Sequence, residues 1–193
     1  MSLTAKRLLS MGLAFILAFS LPIVVNAYSL TGKYIDTDSI LIFIPYSGFG
    51  DTSIAHFNEA LWMWNQSIGI TIMRRDPEVR HSQTNYPTGD TDSYIYKVNV
   101  GEDYLAQCTW SCYSGSDVVI GADININPYY NWTNDPCPNH YDVWSVFMHE
   151  VGHAAGLDHS EFENAVMYYS SKANTSKRGL TADDHAGIRE IYW

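Results

Sequence analysis

The sequence predicts an α+β domain, and three observations carry that prediction. Runs of β-branched and aromatic residues recur between residues 39 and 127, two of them alternating, at 94–100 and from Ala122 onward in 118–127. Two stretches, one before those later runs and one after them, repeat apolar residues at three- and four-residue steps. A final stretch opens with helix-start chemistry near the C-terminus.

Taken in order, residues 39–45 (SILIFIP) read as a buried strand. After the turn at residues 48–51, Ile54, Phe57, Leu61 and Trp64 line one face of a helix over 53–66, capped by Asp51 or Ser53. Its one histidine, His56, reads as a surface or packed residue. Residues 68–73 are expected as a second strand. Residues 74–92, polar and carrying two prolines, form a long surface loop in which His81 has no assigned role. Strands follow at 94–100, 104–110 and 118–127 (VVIGADININ), the last stopped by Asn127-Pro128. An aromatic, Asn- and Pro-rich loop spans 129–141. Asp142 then stands at an N-cap position, and Val143, Val146, Phe147 and Val151 supply one buried helical face. Thr181 caps the closing helix, whose first-turn acids Asp183 and Asp184 suit the positive end of the helix dipole.

The first 27 residues are expected to lie outside the fold. Lys6 and Arg7 precede an apolar run that is broken by Pro22 and ends at Val25-Asn26-Ala27, the pattern of a secretory signal peptide. An uncleaved anchor is the alternative, since the run nearly reaches spanning length. Residues 28–193 then form one domain, an expected monomer. The chain carries 21 acidic against 11 basic residues, a formal net charge of −10. With no basic run, it is a poor candidate for nucleic-acid or anionic-membrane binding. In an oxidising compartment, Cys108, Cys112 and Cys137 predict one disulfide and one leftover thiol, with all three pairings open.

The densest chemistry is His149-Glu150-Val151-Gly152-His153-Ala154-Ala155-Gly156-Leu157-Asp158-His159, or H-E-x-x-H-x-x-G-x-x-H. On a helix, His149 and His153 present imidazoles to one point. Glu150 can lean over that point without ligating. Gly156 permits a left-handed turn that ends the helix and returns His159 as a third nitrogen ligand. Three protein ligands with a fourth position left open is the pattern of catalytic zinc. The bland alternative, a helix with exposed or capped histidines, does not explain three at this spacing with Glu and Gly in register.

With these residues in place the chain resembles a metzincin metalloprotease of the matrixin type, in a compact microbial form. Ser160 follows the motif directly. Met167, in Ala165-Val166-Met167-Tyr168, stands where that clan places a methionine turn beneath the metal. Residues 180–192 (LTADDHAGIREIY) resemble the family's closing helix, and VVIGADININ its cleft-edge strand. The resemblance implies a twisted mixed sheet of about five strands with two long helices plus a C-terminal helix. It also implies zinc-dependent hydrolysis of internal bonds in a polypeptide substrate. His149, His153 and His159 take the ligand positions and Glu150 that of the general base activating water. Met167 supports the site from below, Asp183 or Asp184 anchors the turn, and Ala122, Asp123 and Ile124 pair with the extended substrate.

The sequence also departs from that family. No cysteine-switch propeptide is seen, and residues 75–110 hold only His81 where a second zinc loop is expected. No EF-hand-like loop indicates calcium, although spare carboxylates leave room for it. Tyr169 occupies the place where matrixins commonly have proline. It either packs the specificity-pocket wall or hydrogen-bonds the developing oxyanion. The expectation is a secreted zinc metalloendopeptidase; a zinc amidase acting on cell-wall or other amides, or a non-catalytic zincin-fold binding protein, are the alternatives.

Overall fold

The computed structural model describes residues 27–82 and 91–193. The expected signal segment, up to its last residue Ala27, lies outside the described residues. Among the described residues, no helix is long and apolar enough to cross a membrane.

The chain enters through β1 (Ser29–Leu30) and β2 (Leu41–Pro45), then forms α1 (Asp51–Ile68) and β3 (Met73–Arg75). Strands β4 (Ser93–Lys97), β5 (Ala106–Cys112) and β6 (Val119–Ile126) follow. Two short strands, β7 (Trp132–Thr133) and β8 (Tyr141–Asp142), lead into α2 (Val143–Ala154). After α2 come β9 (Leu157–Asp158) and α3 (Ala182–Tyr192). The main sheet runs β3-β2-β4-β6-β5, with β5 alone antiparallel to its neighbour. It is the expected five-stranded mixed sheet, and the three helices complete an α+β domain.

The core follows from the two periodicities. Ile54, Phe57, Leu61 and Trp64 come from one face of α1, and Val143, Phe147 and Val151 from one face of α2. They meet the inner face of the sheet at Phe43, Ile95 and Ile124. Side chains this large contribute roughly 1.5–3 kcal/mol each on full burial. Phe147 packs edge-on against Phe57 at 5.2 Å, and Trp64 Nε1 donates to the Met148 carbonyl at 2.8 Å. These contacts lock the two helices together where α2 carries its histidines.

Several expectations need correction. The strand expected at 68–73 starts only at Met73, because α1 runs on through Ile68. Asn65 explains the shift: its side chain accepts from the Ile72 and Met73 amides and donates to the Met73 carbonyl, occupying the backbone groups between helix and strand. The cap of α1 is neither Asp51 nor Ser53. Gly50 holds that position, with no side-chain hydrogen bond. The expected disulfide is absent: Cys108, Cys112 and Cys137 are all free. Cys108 and Cys112 stand four residues apart along extended β5, beyond the reach of a bridge. Asp142 does cap α2, accepting from the Ser145 amide, and Thr181 and Asp184 form a reciprocal capping box on α3.

A further correction concerns the substrate-pairing strand. Ala122, Asp123 and Ile124 belong to β6, which is hydrogen-bonded to β4 on one side and β5 on the other. Both ladders of β6 are occupied, so no additional strand can join there. The free edge on this side of the sheet belongs to β5.

Candidate active site

Helix α2 and the turn after it bring His149, His153 and His159 together, one nitrogen of each lying within 4.8 Å of the others. The turn needs Gly156 twice over. Its φ is +102°, and a Cβ there would stand 2.1 Å from the Lys33 carbonyl oxygen. That close approach lets the Thr31 amide donate to the Gly156 carbonyl at 3.0 Å, so the N-terminal segment braces the return of His159.

Each helical histidine has one ring nitrogen tied to the backbone. His149 Nδ1–H donates to the Val166 carbonyl and His153 Nδ1–H to the Leu157 carbonyl, both at 2.8 Å. With Nδ1 protonated, the lone pair of each neutral ring lies on Nε2. These two Nε2 atoms are only 3.0 Å apart. Two lone pairs at that distance repel unless a cation or proton lies between them. Burial pushes His149 down to about 3, helped by its neighbours His153, His159 and Lys177 and opposed by the Val166 hydrogen bond. Burial likewise lowers His153. Shared protonation is therefore disfavoured, and a metal cation fits. Three neutral imidazoles at an open site are a donor set for zinc.

Glu150 is buried beside them, and its Oε2 has no hydrogen-bond partner among the described residues. Burial pushes its carboxyl up to about 8, partly opposed by the Cys108 amide, which donates to it. An unsatisfied carboxyl oxygen beside a metal-ready triad is chemically poised to handle a proton.

The floor is built by Met167. A Cβ on Gly152 would lie 2.3 Å from Met167 Sδ, so the absence of a side chain lets the methionine press against α2 between the two ligand positions. Asp184 Oδ2 accepts from the Val166 amide at 3.0 Å and Asp184 Oδ1 from the Met167 amide at 3.1 Å. Asp183 does different work. Its Oδ1 accepts from the Ala27 and Tyr28 amides and its Oδ2 from the Ser160 hydroxyl. The paired acids, indistinguishable by sequence, thus divide between the turn and the N-terminal segment.

A cleft of about 730 Å³ opens over the histidines, walled by β5 on one side and by residues 168–171 and Lys177 on the other. Tyr169 lines it but is 66% exposed, hydrogen-bonded to Tyr168 with the two rings 4.5 Å apart. Sequence reasoning missed β5 as the cleft wall, along with Lys177 and Cys108. The resemblance of residues 118–127 to a cleft-edge strand points to the inner strand instead. Of the remaining histidines, His56 stacks on Trp144 at 4.5 Å and His81 packs among tyrosines, its Nε2 3.0 Å from the Ile95 carbonyl oxygen.

A family model described as matrixin, Peptidase_M10, matches residues 49–193. The chain is 51% identical over 51 residues to Metalloendoproteinase 1-MMP of Arabidopsis thaliana, covering 26% of this chain and 14% of that protein. It is 43% identical over 60 residues to Metalloendoproteinase 1 of Glycine max, covering 31% and 20%. It is 39% identical over 75 residues to neutrophil collagenase of Homo sapiens, covering 38% and 15%. Each of these matches spans a fifth or less of the relative's own length.

Proposed function

The chain belongs to the matrixin family, and from that premise we propose that it is a secreted, zinc-dependent endopeptidase, with residues 28–193 as its catalytic domain and residues 1–27 as a cleaved leader. The observation that carries this reading is the pair of Nε2 atoms 3.0 Å apart beside the unpartnered Oε2 of buried Glu150. The names of the relatives, metalloendoproteinases and a collagenase, support it.

His149, His153 and His159 would hold the metal. Zinc in such a site supplies Lewis-acid chemistry, acidifying water and polarising a carbonyl. Glu150 Oε2 takes the proton of the attacking water, and the same carboxyl later delivers it to the leaving amine. The substrate backbone extends the sheet at the free edge of β5, where Ala106, Gln107 and Cys108 border the cleft. The Val166 and Leu157 carbonyls hold the two helical imidazoles in one tautomer and orientation. Met167 gives those rings a rigid floor and Asp184 fixes the turn that carries it. The Tyr169 hydroxyl, on the cleft rim, stabilises negative charge developing on the carbonyl oxygen.

The test is hydrolysis of casein and internally quenched peptides by the purified chain. Cleavage within the peptides, abolished by a chelator and restored by zinc, is the expected result. A zinc-loaded chain that cleaves none of these substrates contradicts the reading.

A further inference from the structure

Among the described residues, Lys177 is the only lysine or arginine lining the cleft, in a chain whose formal net charge is −10. Its position is built rather than incidental. The next residue, Arg178, donates from Nε and Nη2 to the two oxygens of buried Asp142 at 2.8 and 2.7 Å, and from Nη2 to the Asn134 carbonyl. The Arg178 guanidinium also lies 4.9 Å from the centre of the Trp144 ring. The Lys177 amide itself donates to Ser145 Oγ at 2.7 Å. The segment is thereby clamped onto the first turn of α2, one helical turn before His149.

The side chain, in contrast, is only partly engaged. Lys177 Nζ donates to the Glu163 carbonyl at 2.6 Å and lies 4.6 Å from the centre of the Tyr168 ring. An ammonium has three donors, and among the described residues no carboxylate comes within ion-pair distance of this one. The Glu163 carboxylate turns toward Lys172 at 4.0 Å, and Asp184 is committed to the Met167 turn. A half-buried cation with spare donors, in the wall of the cleft that His149 also lines, fits a carboxylate brought by the substrate.

Building on the endopeptidase reading above, we infer that this cleft selects substrates carrying an acidic side chain next to the scissile bond, and that Lys177 is the residue that pairs with it. Specificity of this kind arises because an uncharged competitor leaves the ammonium without a counter-charge, whereas a glutamate or aspartate supplies one.

A positional peptide library, with Glu, Gln, Leu and Lys at each of the three positions on either side of the cleaved bond, reads this out directly. The wild type should favour Glu over Gln at one adjacent position by roughly ten- to hundredfold in kcat/KM. Lys177→Met should bring that ratio close to one while still cleaving the Leu peptide, Lys177→Arg should restore it, and Lys177→Glu should favour Lys. Peptide hydroxamates bearing Glu, Gln or Leu beside the metal-binding group, titrated calorimetrically into the zinc-loaded protein, ask the same question without turnover. Cleavage with no acid preference overturns the inference, as does a preference that survives in Lys177→Met. If no peptide is cleaved, the protease reading fails by itself, and the hydroxamate series still decides the lysine: tighter binding of the Glu compound that vanishes in Lys177→Met supports the pairing, and equal binding overturns it.

Discussion

Asp184 and His149 lie two hydrogen bonds apart, with a single residue, Val166, between them. The Val166 amide donates to Asp184 Oδ2 at 3.0 Å, and the Val166 carbonyl accepts from His149 Nδ1 at 2.8 Å. The start of the closing helix therefore sets the orientation of the His149 ring through residue 166. Asp184→Ala removes the acceptor for the Val166, Met167 and Thr181 amides at once, in a place where Asp184 is 1% exposed. A loss of about 3–5 kcal/mol in unfolding free energy is expected. Where the variant still folds, zinc affinity should fall about ten- to hundredfold. Denaturant titration and competitive metal titration measure the two effects separately.

Asp183 should behave differently, because its partners are the Ala27 and Tyr28 amides and Ser160 Oγ. Asp183→Ala is expected to loosen the N-terminal segment and β1, which pairs with β9 next to His159. A smaller loss, about 1–3 kcal/mol, should accompany faster amide exchange in residues 28–31. Equal losses for the two aspartate variants would contradict the division of labour.

Gly156→Ala combines a left-handed φ of +102° with a Cβ 2.1 Å from the Lys33 carbonyl oxygen. Backbone strain alone costs about 1–3 kcal/mol, and the clash must also push residues 31–33 away. A lowered Tm with weakened zinc binding is predicted, since His159 depends on this turn. A variant as stable and as metal-avid as the parent would show that the turn is not held by this contact.

Tyr169→Phe isolates the hydroxyl at the cleft rim. If that hydroxyl meets the developing oxyanion, kcat should drop roughly ten- to hundredfold, with little change in zinc content. Unchanged turnover would reduce Tyr169 to a packing residue.

The alkaline limb of stability should report on Tyr192. Its hydroxyl donates to the Ala155 carbonyl and accepts from the Ile35 amide, and burial pushes it up to about 12 from an ordinary value of 10. Below pH 10 the tyrosine is neutral in both folded and unfolded chains, and its contribution is intact. Between about pH 10 and 12 the unfolded chain loses the proton while the folded one keeps it, so stability falls. Tyr192→Phe should cost about 1–2 kcal/mol at neutral pH and flatten that fall. Chemical denaturation from pH 8 to 12 checks both effects.

The parts of the molecule legible in the sequence are those governed by local chemistry. The spacing of His149, His153 and His159 needs only helical geometry and one glycine, and Asp142 and Thr181 cap their helices through bonds spanning three residues. What escaped depends on long-range pairing. Ala122, Asp123 and Ile124 lie in a stretch that resembles a cleft-edge strand, yet only the sheet order shows that β5 takes the edge. The end of α1 was misplaced because Asn65 holds residues 72 and 73 through side-chain bonds that no periodicity encodes. Lys177 carries no motif, and it becomes notable only when Arg178 and Asp142 clamp it beside the cleft.

The central claim, three imidazoles holding zinc while Glu150 moves the proton, is tested most directly by Glu150→Gln, which keeps the shape of the side chain and removes its basicity. The variant is predicted to bind one equivalent of zinc as tightly as the wild type while kcat for a quenched peptide falls by about 10²–10⁴. A Glu150→Gln protein that cleaves the peptide at the wild-type rate with its zinc in place would contradict the account.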